Sequence, residues 1–396
     1  MIEIKDHSGL MGRTAKSYSP STGEELIRFL LKHKDSKFRI GGGLTGVSGG
    51  AIPEEEEIFI NFSNYKSIEW IDKEEGVFTV SAGNTMLEIK DFVEVEGWNF
   101  PILPGSMDRA TIGGMIACNG GGPFSLRYGK IGNFVRAVEI VTPQAEKLHF
   151  GSRVKKVSEG PNFTKLFVGS EGSLGFISKV TLNCIKLPAI EHYRISHSNF
   201  EKLASSVSLF LGYNPLYMEM AEPDALRFSS GHKESVMWLG LEKGTLFNPN
   251  SYKEFNIVSL SPDNLNERFD IGKNLQQYKK FIDFDISFPV KNGAKLLSKL
   301  KNLLNSLGME SAFFGHSGDG NWHIHVFYEE EDQITGKMVN SFDELLFKYE
   351  GHISGEHGIG RLHKKRFTAH KEQYYQSLYS ALKSHLDPKN QLPSIF

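Results

Sequence analysis

Ten residues near the start of the chain, GGGLTGVSGG (41–50), hold six glycines, and Pro53 follows shortly after. Glycine and proline are the two poorest helix formers, so this stretch breaks any helix that tries to cross it. A missing Cβ also lets another group come close to the backbone. The string Gly41-Gly42-Gly43-Leu44-Thr45-Gly46 satisfies G-x-G-x-x-G. A Rossmann-type dinucleotide fingerprint needs a helix to open there, so that its N-terminus meets the pyrophosphate. Gly49, Gly50 and Pro53 stand where that helix would run, so the Rossmann geometry fails. Two readings remain: a cradle of consecutive N–H groups for a diphosphate, or a surface loop.

Glycine is abundant throughout, at 40 of 396 residues against an average of about 7%. It clusters at 41–50, 113–122 and 315–320, which suggests backbone brought up to ligands in more than one place. With 39% hydrophobic residues and no long polar tract, the chain reads as globular, long enough for two or three domains. A formal charge of -2 gives no electrostatic reason to expect nucleic acid. The two cysteines, Cys118 and Cys184, exclude a disulfide framework and a four-cysteine zinc or iron–sulfur site in this chain. They read as small buried residues in a reducing compartment. The opening MIEIKDHSGLMGRT is charged where a signal peptide needs an apolar core, and no run approaches the roughly 18 apolar residues of a membrane span. The expectation is a cytoplasmic protein with no transmembrane segment, at most peripheral to a membrane.

Patterning divides the chain. Up to about Pro188, short strands are expected at 38–40, 57–62, 76–83, 137–143 and 176–188, with one helix over 85–97. Short gaps with few long helices suit an α+β domain better than a doubly wound one. From 189 to about 350 the texture changes. Helices are expected over 202–213 and 291–308, and strands over 237–242, 284–290 and 321–328, a second α+β domain with an antiparallel sheet. The segment 351–396 ends in a helix stopped at Pro388. The acidic runs EEEE (54–57) and EEED (329–332) read as solvated turns.

The chemistry concentrates in the second half. In NWHIHVFY (321–328) strand alternation points His323 and His325 to one face. His316 precedes a Gly-Asp-Gly turn that can fold it to that same face. Further on, GHISGEHGIG (351–360) sets Glu356 beside His357. Two imidazoles and a carboxylate suit a divalent metal with open positions. A hydrogen-bonded polar cluster near a turn is the other reading of these residue types.

A second glycine-rich stretch, PGSMDRATIGGMIACNGGGPFSLRYGKIGNFV (104–135), and a third element, KLFVGSEGSLGFISKVTL (165–182), follow the first loop in order. At these residues the sequence resembles the FAD-linked oxidases with a flavin domain of the vanillyl-alcohol-oxidase (PCMH) type. It is most similar to the branch of D-lactate dehydrogenases, D-2-hydroxyglutarate dehydrogenases and the glycolate oxidase D subunit. The resemblance covers about 20–188 and 311–396. It implies an α+β flavin domain of two small lobes over 1–188, a substrate domain over 189–350 with the metal motif, and a C-terminal segment. FAD contacts carried over by the motifs fall on Gly42, Gly43, Leu44, Thr45, Gly46, Ser48 and Gly49 for the diphosphate. Those near the flavin fall on Pro104, Gly105, Ser106, Thr111, Gly113, Gly114, Ala117, Asn119, Gly121 and Ile177. Leu44 stands where relatives have glycine, which should be tolerated if its φ is negative. No histidine lies in either glycine cluster, so the FAD is expected to be dissociable.

The same resemblance maps metal ligands to His316, His323 and Glu356, for zinc, manganese or iron, and the catalytic base to His357. Substrate contacts map to Asn321 and His325, the latter standing where relatives have asparagine and open to being a fourth ligand. Arg268 could pair with a substrate carboxylate. Asp283, in place of a lysine found in some dicarboxylate-oxidising relatives, argues against a dicarboxylic substrate. A metal bound to hydroxyl and carboxylate lowers the hydroxyl pKa, and a neutral imidazole takes the proton. The implied activity is oxidation of a small 2-hydroxy acid, with electrons leaving to an external protein, a quinone or an iron–sulfur partner subunit. A flavin-dependent transferase of the ether-lipid synthase type and a non-catalytic flavin-binding subunit are the alternatives. The intact Gly355-Glu356-His357 string argues against both.

Overall fold

In a computed structural model, which describes residues 1–227, 231–330 and 333–396, the chain divides into two compact units. The first is built from Met1–Gly122, Gly129–Leu187 and Glu356–Phe396, the second from Pro123–Tyr128 and Pro188–Gly355. The fold is α+β throughout, with sheets that are mostly antiparallel.

In the first unit, a three-stranded parallel sheet runs in the order Ser17–Tyr18, Glu57–Asn61, Lys37–Gly41. Its middle strand is buried along most of its length, as strands covered on both faces are. Helix Gly23–Lys32, capped by the Thr22 side chain on the Glu25 amide, presses Leu26 and Leu30 into a core shared with Phe38, Ile60 and Phe176. The glycine loop leaves directly from the end of the Lys37–Gly41 strand. A five-stranded antiparallel sheet follows, ordered Ile68–Asp72, Val77–Ser81, Phe176–Asn183, Val135–Val141, Lys147–Gly151. Helix Met86–Glu94 begins at a reciprocal cap in which Thr85 and Glu88 each hold the other's backbone amide. The closing helix, Gln373–Leu386, belongs to this unit.

The second unit is organised on a seven-stranded antiparallel sheet. Its spatial order is Asn256–Leu260, Ile190–His197, Ser235–Glu242, Tyr217–Ala221, Ser311–His316, Asn321–Tyr328, Lys280–Ser287. Helix Gly293–Ser306 contributes Leu296, Leu297, Leu300 and Leu304 to the core.

Three expectations need correction or limits. Glu57 is not in a solvated turn: it lies in a strand, 7% exposed, with both oxygens 2.9 Å from Arg39 Nε and Nη2. The expected helix over 202–213 is two helices, Phe200–Ser205 and Val207–Leu211. The break falls at Ser206, whose hydroxyl donates back to the Leu203 carbonyl, the local competition that makes serine a cap residue. Of the second acidic run, Glu331 and Asp332 lie outside the described residues.

Candidate functional site

The glycine loop is shaped by close contact with the second motif. A Cβ at Gly42 would stand 2.1 Å from Thr111 Oγ1, and one at Gly43 1.8 Å from the Arg109 carbonyl oxygen. Arg109 in turn donates from Nη2 to the Gly43 carbonyl. Within the loop, the amides of residues 43–48 donate to no protein acceptor among the described residues. A run of main-chain N–H groups left over in this way is what an anion cradle requires. Leu44 has φ 53, so it is left-handed and the negative φ that would make leucine easy to accommodate is not what the chain adopts. Its side chain offsets that strain by packing with Leu10 against Ile4, Ile52 and Phe59. Thr45 is half-buried and Gly46 exposed, while Gly49 (φ 76) could not carry a Cβ without meeting Leu10 at 2.6 Å.

The second motif turns at Pro104, Gly105 and Ser106: the Pro104 carbonyl accepts from the Met107 amide, and the Ser106 carbonyl from the Arg109 and Ala110 amides. Thr111 then caps helix Ile112–Cys118, accepting from the Gly114 amide. Gly113 abuts Ala82, and a Cβ there would come within 2.8 Å of the Ala82 Cβ. Ala117 offers its carbonyl to the Glu171 amide (2.8 Å), and Asn119, left-handed at φ 50, closes the helix and accepts from Gly132. Gly121 is buried. Ile177, 6% exposed, is paired with Ile140 beside a register shift.

Ser48 has a use that the motif alone did not disclose. Its hydroxyl donates to the His357 carbonyl (3.0 Å), and its own carbonyl accepts from Arg361 (2.9 Å) and Leu362 (3.1 Å). A Cβ at Gly360 would collide with that carbonyl at 2.2 Å. On the other side, Glu171 accepts from the Ile359 and Gly360 amides, both at 2.7 Å. Part of Glu171 remains accessible, yet its carboxyl end is enclosed; burial pushes its pKa up while the two amides pull it down. The backbone carrying His357 is thus held by the first and third motifs.

In the second unit, one sheet face collects the ionisable groups. Register places His316 opposite Asn321, Asp285 opposite His323, and Asp283 opposite His325. Opposed residues share a face, so all six side chains emerge together. Glu219 joins them, its Oε1 2.7 Å from His316 Nδ1. A carboxylate on Nδ1 orients an imidazole and leaves Nε2 directed away, the arrangement found behind metal-bound histidines. Asp285 is 1% exposed and accepts from Asn321 Nδ2 (2.7 Å), Ser354 Oγ (3.1 Å) and the Gly355 amide (2.9 Å). His323 Nδ1 lies 3.7 Å from the same carboxylate. Asn321 is therefore occupied in orienting Asp285. His325 stacks on Phe281 at 4.0 Å, with Nε2 3.7 Å from Asp283. Arg268 lies 4.3 Å over the ring of Tyr217, whose hydroxyl meets His192 Nδ1 at 2.8 Å. Gly355 ends this unit, and Glu356 follows it directly in the chain.

Comparison with known proteins fits this construction. A family model described as the FAD binding domain matches residues 18–151, and one described as FAD linked oxidases, C-terminal domain, matches 267–394. The chain belongs to the FAD-linked oxidase family. D-lactate dehydrogenase of Archaeoglobus fulgidus is 29% identical, over 94% of this chain and 88% of the relative. D-lactate dehydrogenase of Anaerostipes hadrus is 28% identical over 81% and 75%, and the mitochondrial D-2-hydroxyglutarate dehydrogenase of Arabidopsis thaliana 27% over 88% and 68%. Among solved structures, alkyldihydroxyacetonephosphate synthase superposes with a TM-score of 0.73 at 18% identity, covering 95% of this chain and 75% of that one, a likeness of fold alone. No described helix of this FAD-linked oxidase is long and apolar enough to cross a membrane.

The residues for FAD fit on the structure's own terms: free loop amides, and glycines that let the loop and the second motif pack with no room for a Cβ. The set His316, His323 and Glu356 fits a divalent metal by the chemistry of its donors. Glu171, Glu219 and Asp285 were missed from sequence. Glu219 and Asp285 carried a readable signal, since YMEMA and FDFDIS both alternate with their acids on one face.

Proposed function

We propose that this FAD-linked oxidase dehydrogenates a small D-2-hydroxy acid of the lactate or glycolate kind, giving the 2-oxo acid. The reading rests most on the sheet face where His316, Asn321, His323 and His325 stand with Glu219, Asp283 and Asp285. Such a density of imidazole and carboxylate on a largely buried face is costly unless it serves chemistry. The relatives named above are dehydrogenases of 2-hydroxy acids, which supports the substrate class.

FAD, bound non-covalently over residues 42–49 and 104–121, supplies the acceptor for the substrate's Cα hydride. The remaining roles fall to this chain. His316, His323 and Glu356 hold a divalent metal, zinc, manganese or iron, with Glu219 orienting His316 and Asp285 beside His323. His357 takes the hydroxyl proton as a neutral imidazole. Arg268 pairs with the substrate carboxylate, its guanidinium held flat by Tyr217. Asn321 and His325 line the substrate side. Two free cysteines cannot carry electrons onward in a cluster, so reoxidation falls to an external protein, a quinone or an iron–sulfur partner. Free thiols also favour a cytoplasmic setting.

The test is anaerobic mixing of the yellow protein with a panel of D- and L-2-hydroxy acids. At least one short D-acid should bleach the flavin, and acid precipitation should leave FAD in the supernatant. A flavin that no panel member reduces would overturn the substrate class; colour retained in the pellet would overturn only the non-covalent attachment.

A further inference from the structure

The segment His357–Leu362 has no regular secondary structure and contains two left-handed glycines, Gly358 (φ 78) and Gly360 (φ 51). Alone, such a stretch would sample many conformations. Two clamps stop it. Ser48 holds the His357 carbonyl and receives the Arg361 and Leu362 amides. Glu171 holds the middle: one oxygen takes the Ile359 amide and the other the Gly360 amide, each at 2.7 Å. Bonds of this kind, from N–H to carboxylate, are shorter and stronger than neutral ones. Glu171 is itself fixed, left-handed at φ 51, with its amide on the Ala117 carbonyl. A Cβ at Gly358 would press to within 3.0 Å of the Glu171 carboxylate, so the turn and the acid fit closely.

We infer that Glu171 is a positioning residue for His357: it fixes the turn that carries the proton-accepting imidazole, without touching substrate. The inference rests on His357 being the base. It predicts a loss specific to proton acceptance, because misplacement of a catalytic group by about 1 Å costs roughly 10²-fold. Glutamine keeps one acceptor oxygen but turns an NH2 toward the second amide, so one bond is lost. Alanine loses both.

The experiment measures single-turnover flavin reduction by D-lactate, or by D-2-hydroxyglutarate where D-lactate is inert. The proteins are wild type, Glu171→Gln, Glu171→Ala, His357→Ala and Glu171→Gln/His357→Ala, each assayed for FAD content on the same sample. His357→Ala should slow reduction by about 10²–10⁴-fold. Glu171→Gln should slow it by up to about 10²-fold with FAD retained, and Glu171→Ala more. The double variant should match His357→Ala within roughly twofold, since a residue acting only through another adds nothing once that one is gone. Additive losses, a full-rate Glu171→Gln, or a rate that falls only as FAD is lost would each overturn the inference. A full-rate His357→Ala would instead remove the base assignment and the inference with it. Where Glu171→Gln folds poorly, Glu171→Asp makes the same comparison, keeping the charge while shortening its reach.

Discussion

A left-handed leucine is an uncommon choice, because the branch of an L side chain crowds its own carbonyl there at a cost of roughly 1–2 kcal/mol. Leu44 accepts that cost and recovers part of it through contact with Leu10, Ile52 and Phe59. Removing the side chain in two ways separates these effects. Leu44→Ala loses the packing and keeps the strain, whereas Leu44→Gly loses both. Glycine should therefore be the more stable of the two by about 1 kcal/mol in urea denaturation. Alanine the more stable would mean that the residue is not held left-handed. Burial pushes the thiols of Cys118 and Cys184 up to about 12. Only a minute thiolate fraction exists near neutral pH, so iodoacetamide should label neither in the native protein and both after unfolding. Rapid native labelling of either would contradict that burial. Glu219 makes a third case. With its oxygen on His316 Nδ1, Glu219→Ala should weaken zinc binding by about 10–100-fold in a titration while FAD content stays unchanged. Unaltered zinc affinity would show that His316 needs no such partner.

Elements were read from local periodicity, and that signal was strong where burial is one-sided. The alternation over 321–328 put His323 and His325 on one face because a strand inside a sheet enforces a period of two. The helix over 85–97 was legible in its helical spacing, and the structure opens it at Met86 with a reciprocal Thr85–Glu88 cap. What could not be read was pairing. Nothing local to Phe281–Ser287 says that Asp285 will face His323, because register is settled across a sheet rather than along a strand. Glu57 was misread for a related reason: its partner Arg39 is on the neighbouring strand, and that cation, with the Glu54 amide, makes a buried acid tolerable. The closing helix, Gln373–Leu386, shows the same dependence. Lys383, 6% exposed, donates to Asp387 (2.6 Å), to the Ser173 carbonyl (2.9 Å) and to the Leu392 carbonyl (3.0 Å). Asp387 also takes the Gln391 and Leu392 amides. Lys383→Met leaves that carboxylate buried without its cation and should cost about 3–5 kcal/mol in thermal or urea unfolding. A change within experimental scatter would mean that water replaces the ammonium.

At the scale of the whole molecule, the residues proposed for FAD and for the metal do not overlap. A chelator should therefore abolish turnover and leave the flavin spectrum nearly unchanged, whereas metal-free protein working at full rate would remove the metal from the scheme. The path of the chain carries a different consequence. The first unit is interrupted by the whole of Pro188–Gly355 and resumes only at Glu356. Its core includes Leu392, and its parallel sheet is bordered by the bond from the Phe38 amide to the Gln391 carbonyl. On a ribosome adding 5–20 residues per second, the early strands would wait roughly 17–70 s for those late residues. Throughout that interval the nascent glycine loop lacks the segment that clamps Ser48, and the Glu171 carboxylate lacks the amides that it will hold. The second unit, nearly continuous in sequence, can meanwhile fold to completion. Birth order and folding order are thus inverted: the half of the enzyme made first is the half finished last, and a holding chaperone would find its substrate in the flavin half.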